Sequence, residues 1–249
     1  MLTTHLDAGV LTLTLDRPDK RNALSSALIE ALHQGLERAE LDGEVRVVVI
    51  KGAGKDFCAG ADLDELLASA DRDPAENEAS ALRLGALFQA IRRLPKPVVA
   101  VVQGRALAGG CGLATACDFV LAADTAQFGY PEIQRGFVPA MVMAMLVRQV
   151  GEKRALDLTG TGRLLTAAEA YQMGLVTSVI GAPDFGPRAL DLIRQLTTVS
   201  ATAYALTKQL CYAQDGIPFD DAIALGARIN AMSRATPDFK SAIAAFLKK

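Results

Sequence analysis

The chain has 249 residues, of which 51% are hydrophobic and 22% are charged, so it can bury one large domain or two small ones. Its 26 Lys and Arg residues nearly balance its 28 Asp and Glu residues, and the formal charge of −2 excludes a strongly basic nucleic-acid binder as the default interpretation. The longest apolar run, residues 137–147, is too short to span a bilayer, and the N-terminus lacks a signal-peptide pattern. We therefore expect a cytoplasmic protein that binds neither nucleic acid nor a membrane.

The histidine and cysteine content narrows the possible chemistry. The 4 cysteines have no C-x-x-C spacing and lie in apolar or Gly-rich segments, which favours reduced, buried thiols over disulfides or a metal site. Only 2 histidines are present and no G-x-S-x-G motif occurs, so a Ser-His-Asp triad is disfavoured. If the chain is an enzyme, a carboxylate or the backbone must do most of the chemistry.

Strand and helix patterns alternate along the first half of the chain. Period-two or continuous apolar segments predict strands, and a helix is expected after a Ser25 cap. The polar segment from Ala68 to Ser80 is expected to be an exposed, mobile loop before a helix that reaches Leu94. The chain is mostly helical from Ala140 onward, and the alternation favours βαβ units with parallel pairing. The predicted strands cover residues 10–15, 45–51, 98–102 and 119–122, with a short one near 176–180.

Two segments share one design, in which an apolar strand leads through a Gly-rich turn into a helix of small residues. They run from Val47 to Leu66 and from Val98 to Ala116. The start of a helix leaves backbone N–H groups unpaired, and small residues let a ligand approach them. Two such helix starts, facing each other, could give two N–H donors to one oxygen. Tight helix–strand packing also favours Gly and Ala, so a purely structural role remains the alternative. Neither G-x-G-x-x-G nor the Walker A pattern is present.

Several motifs together resemble the enoyl-CoA hydratase/isomerase family, the crotonase superfamily. The resemblance implies an α/β fold with a crotonase-type ββα spiral core over residues 1–195 and a C-terminal helical trimerisation region over residues 196–249. It implies a homotrimer or hexamer acting on an acyl-CoA thioester, with coenzyme A as part of the substrate and no separate cofactor or metal. The motifs, in the family's order, are Arg17-Pro18, Arg21-Asn22-Ala23-Leu24, Phe57-Cys58-Ala59-Gly60-Ala61-Asp62-Leu63, Lys96-Pro97-Val98-Val99-Ala100, Ala108-Gly109-Gly110-Cys111, Cys117-Asp118, Ala126-Gln127-Phe128-Gly129, Pro131-Glu132, Leu165-Thr166-Ala167-Ala168-Glu169-Ala170 and Gly174-Leu175-Val176.

The resemblance also assigns roles to individual positions. The backbone N–H groups of Ala61 and Gly109 would form an oxyanion hole for a thioester enolate, and Glu132 would be the catalytic acid and base. Asp118 is expected to be a structural cap or an ion-pair partner. The positions expected to contact coenzyme A are Lys20, Arg21, Ala23, Asp62, Leu63, Phe246 and Lys249, the last two often from a neighbouring subunit.

Three departures from the family pattern bear on the reaction. The family's second catalytic glutamate falls on Gly112, residues 137–143 replace a run of glycines found in typical hydratases, and Asp64 stands where several hydratases have a lysine. Met141 and Met143 therefore suggest a reshaped acyl pocket, unless they simply fill gaps in the core. With one glutamate, isomerisation of a 3-enoyl-CoA is chemically natural. Hydration, decarboxylation and C–C hydrolysis remain open, as does a non-catalytic acyl-CoA-binding protein.

Overall fold

The computed structural model describes residues 1–248, which form nine strands in two sheets. The large sheet has the order β1-β2-β3-β4-β6-β9; β1 and β2 are antiparallel and every other neighbouring pair is parallel. The small sheet has the order β5-β7-β8, with β5 and β7 parallel. The strands are β1 (Leu2–Asp7), β2 (Val10–Leu15), β3 (Val47–Gly52), β4 (Val98–Val102), β5 (Arg105–Leu107), β6 (Phe119–Ala123), β7 (Gln127–Gly129), β8 (Leu164–Thr166) and β9 (Ser178–Ile180).

Eleven α-helices within residues 1–248 cover the sheets and form the C-terminal part of the chain. Three short 3-10 helices occur as well, at Pro18–Lys20, Pro131–Arg135 and Ala182–Asp184. The α-helices are α1 (Ser26–Leu41), α2 (Leu63–Ala68), α3 (Pro74–Arg93), α4 (Gly109–Ala116), α5 (Ala140–Val150), α6 (Glu152–Thr161), α7 (Ala167–Gln172), α8 (Phe185–Thr197), α9 (Ala201–Ala213), α10 (Phe219–Ala235) and α11 (Pro237–Phe246).

The central strands β3 and β4 of the large sheet are buried on both faces, which is why they read as continuous apolar runs. Val48 and Ile50 face the main core, whereas Val47 and Val49 face a second apolar cluster that includes Ile193 of α8. This alternation follows from the two-residue repeat of a strand. The α/β class and the strands at residues 10–15 and 98–102 are therefore confirmed.

The predicted loop over residues 68–80 is wrong in its second half. Helix α3 begins at Pro74, because Asp73 accepts the Ala75 N–H at 2.7 Å and proline fits the first helical position. The prediction that all cysteines are buried is wrong for Cys211, which is exposed, whereas the other three are buried free thiols.

A buried polar cluster ties α9 to the core. The ammonium of Lys208 donates to Asp118 Oδ2 at 2.7 Å and to the carbonyl of Ile91 at 2.9 Å. The hydroxyl of Tyr212 donates to Asp118 Oδ1 at 2.9 Å. Asp118 is thus an ion-pair partner, as expected from the sequence.

The C-terminal helices pack mainly on one another beyond α8. Helix α8 lies on β2, β3, β6 and β9, and the predicted boundary at residue 195 falls in its last turn. Helix α10 packs against α9 and α11. Within residues 1–248, no helix is both long and apolar enough to cross a membrane.

Candidate active site

The first Gly-rich turn leaves one backbone N–H group pointing away from its neighbours. Leu24 donates its N–H to the carbonyl of Gly60 at 2.8 Å, and Asp62 donates its N–H to the carbonyl of Leu24 at 3.0 Å. Because successive peptide groups of an extended segment face opposite sides, the N–H of Ala61, between these two, faces away from Leu24. Within residues 1–248 it donates no hydrogen bond.

The second turn leaves a comparable donor at the start of α4. Ala108 donates its N–H to the carbonyl of Gly129 at 2.8 Å, and its own carbonyl accepts the Gly112 N–H at 2.9 Å as the first bond of the helix. The N–H of Gly109 has no acceptor in the described part of the chain. Ala108 has φ 52° and ψ −128°, a conformation that costs an alanine about 1–3 kcal/mol and that commonly accompanies functional turns.

The two turns are in direct contact. Cys58 donates its N–H to the carbonyl of Arg105 at 3.0 Å, and its carbonyl accepts the Leu107 N–H at 2.9 Å. A Cβ atom placed on Gly60 would lie 2.7 Å from the Cβ of Ala108 and 3.5 Å from the nitrogen of Gly109. The two unbonded N–H groups therefore belong to segments that touch, which is the arrangement expected for an oxyanion hole.

Two buried polar side chains form hydrogen bonds with the backbone in and beside the first Gly-rich turn. Asn22 is fully buried, and its amide donates to the carbonyls of Asp56 at 2.8 Å and Ala53 at 2.9 Å. The carboxylate of Asp56 accepts the Arg105 N–H at 3.0 Å, which links the Gly-rich loop to β5. These contacts tie the Gly-rich loop to its neighbours.

Glu132 lies in the 3-10 helix that follows β7. Strands β5 and β7 pair with Leu107 opposite Gly129, so Gly109 and Glu132 follow neighbouring parallel strands by two and three residues. Only 8% of Glu132 is exposed, and its Oε2 atom has no hydrogen-bond partner within the described residues. Burial raises the pKa of the carboxyl above its ordinary value of 4.5, although its own backbone N–H and the charge of Arg135 oppose the shift.

A fully buried cluster of weakly polar side chains lies behind Glu132. The hydroxyl of Tyr130 is 3.5 Å from Thr115 Oγ1, and Cys111 is buried in the same core. Burial raises the pKa of Cys111 and of Cys58 to about 12, so neither thiol is a nucleophile at neutral pH. Glu132 is therefore the candidate acid–base group of this region.

Gly112 does not face open space. A Cβ atom on Gly112 would lie 2.3 Å from Cγ1 of Val142 and 3.1 Å from Cζ of Phe88. Val142 and Phe88 are buried, whereas Met141 and Met143, the pocket residues predicted from the sequence, are only half-buried. Met141 Cγ lies 3.5 Å from the position of a Cβ on Gly85 of α3. The side chains against Gly112 are thus Val142 and Phe88 rather than the two methionines.

The candidate contacts for coenzyme A form two groups. Asp62 caps α2 and pairs with Arg17 at 2.7 Å, which lowers the pKa of its carboxyl, and Ala23 accepts an N–H of the same guanidinium through its carbonyl at 2.7 Å. Lys20 pairs with Asp64 at 2.8 Å, and both side chains are exposed. Arg21 is also exposed, in a left-handed conformation, and Leu63 is 61% exposed on the first turn of α2. All five candidates lie in or beside the first Gly-rich turn.

The second group lies at the C-terminus. Phe246 is 75% exposed at the end of α11, which packs on α9 and α10. Lys249 lies outside the described residues. Phe246 is therefore placed on a different part of the fold from Lys20, Arg21 and Ala23.

The sequence pattern does not mark Asn22, which supports the first Gly-rich turn, or Val142 and Phe88, which lie against Gly112. Asn22 occurs within one family motif, and Val142 occurs within the segment that replaces the glycines. Phe88 and Leu84 lie on the predicted helix, and Leu84 Cδ2 is 3.6 Å from the position of a Cβ on Gly109. Their helical spacing could have marked this face of α3 as buried.

Comparison with known proteins gives a consistent result over the whole chain. The profile of the family described as "Enoyl-CoA hydratase/isomerase" matches residues 5–249. A Thermus thermophilus protein provisionally named an enoyl-CoA hydratase is 42% identical over 240 residues, with 96% of this chain and 95% of the relative covered. The 2,3-dehydroadipyl-CoA hydratase of Escherichia coli is 37% identical over 242 residues, covering 96% of this chain and 92% of that protein. The crystal structure of an enoyl-CoA hydratase from Mycobacterium smegmatis superposes with a TM-score of 0.94 at 33% identity, covering 99% and 96% of the two chains.

Proposed function

Because the chain belongs to the enoyl-CoA hydratase/isomerase family, we propose that it moves the double bond of an enoyl-CoA through a thioester enolate. The substrate is a 3-enoyl-CoA and the product the conjugated 2-enoyl-CoA. The N–H groups of Ala61 and Gly109 hold the enolate oxygen, and Glu132 is the acid and base. The observation that carries the proposal is one buried carboxylate with an unpartnered oxygen, beside two turns that each present an unbonded N–H.

The reaction requires one base that can return the proton it takes. Ionised Glu132 removes a proton from C2, and the electrons of the C–H bond move to the thioester oxygen as the enolate forms. The same carboxyl then delivers the proton to C4, and the double bond shifts to C2–C3. Each backbone donor of this kind is typically worth about 10²–10³ in kcat, because it is aimed where negative charge develops. The raised pKa of Glu132 brings its proton affinity nearer to that of the carbon acid.

Lys20, Arg21, Ala23, Asp62 and Leu63 are proposed to contact coenzyme A from the first turn. Lys20 is accessible to a ligand, since its side chain is 56% exposed and its partner Asp64 is itself exposed. Phe246 and Lys249 are proposed to contact coenzyme A bound to a neighbouring subunit. The acyl chain would enter between α3 and α5, past Met141 and Met143.

Hydration is the second candidate, and the names of the similar proteins favour it, since the relatives reported above are hydratases by name. Hydration needs a second polar group to hold the attacking water. Gly112, at the position of the family's second glutamate, has no side chain to do so.

One labelling experiment separates the candidates. The protein is incubated with 2-enoyl-CoA and 3-enoyl-CoA esters in deuterium oxide and in heavy-oxygen water, and the products are analysed by mass spectrometry. Isomerisation converts a 3-enoyl-CoA into the conjugated 2-enoyl-CoA at constant composition, which the absorbance of the conjugated thioester reports, whereas hydration gives uptake of heavy oxygen. Binding with neither conversion would favour a non-catalytic acyl-CoA-binding protein, and loss of carbon would indicate decarboxylation or C–C hydrolysis.

Glu132→Gln tests the assigned base. The variant keeps the shape of the side chain but removes the proton acceptor, so turnover should fall by about 10²–10⁴ while affinity for the CoA ester changes little. Glu152→Gln, at an exposed position on α6, is the matched control and should leave turnover unchanged. A Glu132→Gln enzyme with more than about a tenth of the original kcat would mean that another group is the base, because the loss would fall below that range.

We also propose that the chain assembles as a homotrimer or a pair of trimers through residues 196–249. The support is the exposed apolar surface of the C-terminal helices, which includes Phe219, Ile223 and Met232 of α10. Burying such side chains against another copy stabilises an assembly by about 25 cal/mol per Å² of apolar surface. Sedimentation equilibrium should give three or six times the chain mass of 26.3 kDa, and a stable monomer at micromolar concentration would refute the proposal.

A further inference from the structure

Two departures from the family pattern, Gly112 and Val142, lie in contact with each other in the fold. Gly112 lies in α4 and replaces the family's second glutamate, while Val142 lies in α5 within the segment that replaces a run of glycines. They are 30 residues apart in sequence, yet Cγ1 of Val142 is 2.3 Å from the position that a Cβ on Gly112 would occupy. At this contact, position 112 has a small residue where the family has a large one, and position 142 has a larger residue where the family has glycine.

The exchange leaves no room for a side chain on Gly112. Phe88 Cζ closes the same space from α3, at 3.1 Å, and both Phe88 and Val142 are nearly inaccessible, at 4% and 3% exposure. An atom pair at 2.3 Å is far inside the 3.5–4.0 Å separation of contacting carbons, so one side must move. A carboxylate at position 112 is thus incompatible with Val142 in its present place.

The side-chain atoms nearest to the space beside Gly112 are all carbon. Thr115, one turn along α4, donates its hydroxyl to the carbonyl of Gly112 at 3.1 Å and lies 3.5 Å from the Tyr130 hydroxyl. Val142 and Phe88 present only carbon. A water molecule needs two to four polar partners to be held in a buried site, and Val142 and Phe88 supply none.

We propose that Val142, backed by Phe88, determines the reaction by occupying the place of a water-holding carboxylate, so that Glu132 can only move protons. The proposal rests on the function proposed above and names the residue that selects isomerisation over hydration. Hydration would form a bond between C3 and the water oxygen, break one O–H bond of that water and place a proton on C2. Val142 excludes the group that would take the proton from the water.

The test is a double substitution, Gly112→Glu with Val142→Gly, which restores room and carboxylate together. The matched control is Gly112→Gln with Val142→Gly, which has the same size but cannot accept the proton. Both variants and the unaltered chain are assayed for heavy-oxygen incorporation into a short 2-enoyl-CoA and for thermal stability. Gly112→Glu with Val142→Ala serves as a second version if the glycine in α5 prevents folding.

We expect the Glu/Gly double variant to hydrate at least about 10-fold faster than the unaltered chain, a conservative share of the 10²–10⁴ attributed to general acid–base catalysis. The Gln/Gly control should show no gain. Gly112→Glu alone should melt lower than the double variant, because overpacking is relieved when Val142 is removed. A folded double variant that binds the CoA ester but incorporates no more heavy oxygen than the control would overturn the proposal.

Hydration by Gly112→Glu alone, at the rate of the double variant, would also overturn it, because Val142 would then be no obstacle. The proposed isomerase function fails by a different result, namely no conversion of 3-enoyl-CoA into conjugated 2-enoyl-CoA by the unaltered chain. The two hypotheses are thus refuted by different proteins in different assays.

Discussion

Gly60→Ala tests whether the contact between the two turns sets the rate. Gly60 has φ +100°, and the added Cβ would lie 2.7 Å from the Cβ of Ala108 and 3.0 Å from the carbonyl oxygen of Leu107. The carbon pair must separate by about 1 Å to reach an ordinary contact. Because Ala108 immediately precedes Gly109, the separation displaces one of the two N–H groups proposed to bind the enolate.

The effect has two parts that can be separated. Alanine at a positive φ costs about 1–2 kcal/mol of stability wherever it occurs, which lowers Tm by about 2–4 °C per kcal/mol in a chain of this size. The displacement of the donor is specific to Gly60. Loss of one oxyanion donor typically costs 10²–10³ in kcat, so we expect a fall of about 10²-fold.

Gly174→Ala is the matched control, since Gly174 has φ +84° but no atom within 4 Å of an added Cβ. Both variants should melt at a lower temperature, but only Gly60→Ala should lose kcat, with a much smaller change in KM. The assay is the initial rate of 3-enoyl-CoA isomerisation across substrate concentrations, together with thermal unfolding. Equal kcat values for the two variants would refute the assignment of the two turns as the oxyanion hole.

Three further predictions follow from ionisable groups. Because burial raises the pKa of Glu132 and the base works when ionised, kcat/KM should fall toward acid with a midpoint above 4.5, and a midpoint at or below 4.5 in the pH profile would contradict this. Lys208→Met should destabilise the fold by about 3–5 kcal/mol in urea unfolding, because it leaves the Asp118 carboxylate buried without its cation; a loss below about 1 kcal/mol would mean that the pair is not needed. Asp62→Asn should lose about 1.5–3 kcal/mol at neutral pH and less at pH 3, because the stabilisation linked to the lowered pKa of Asp62 is complete above the ordinary value of about 4 and decreases as the pH falls toward and through the lowered one. An equal loss at both pH values would exclude the Arg17 ion pair as the cause.

The parts of the fold that depend on local patterns could be predicted from the sequence. The strand at residues 98–102 is an unbroken apolar run because both of its faces are buried, and Ser25 caps α1 through the Leu28 N–H at 3.3 Å. The start of α3 is not predicted although Asp73 and Pro74 form an ordinary helix-start signal, because the polar composition of the segment favours a loop. The first turns of α3 are polar and mostly exposed, and such turns are hard to separate from a loop by composition alone.

The candidate site could be predicted only in part, for a physical reason. The two turns and Glu132 carry local signals, but the contact between Gly112 and Val142 is long-range and has no local signature. The sequence places methionines beside Val142, and their size suggested that they shape the pocket. Side chains of a helix point in directions separated by about 100° per residue, so Val142 faces Gly112 while Met141 and Met143 lie to either side.

The small sheet has a consequence for how activity is lost. Gly109 and Glu132 are held in register by β5 and β7, and each strand of this sheet has only three residues, compared with five or six for β1 to β4. Cooperative regions with few backbone hydrogen bonds open at a lower free-energy cost than the global transition. Local opening of β5, β7 and β8 would separate base from donor while the large sheet stays folded, so activity in rising urea should disappear before the helical circular dichroism signal does.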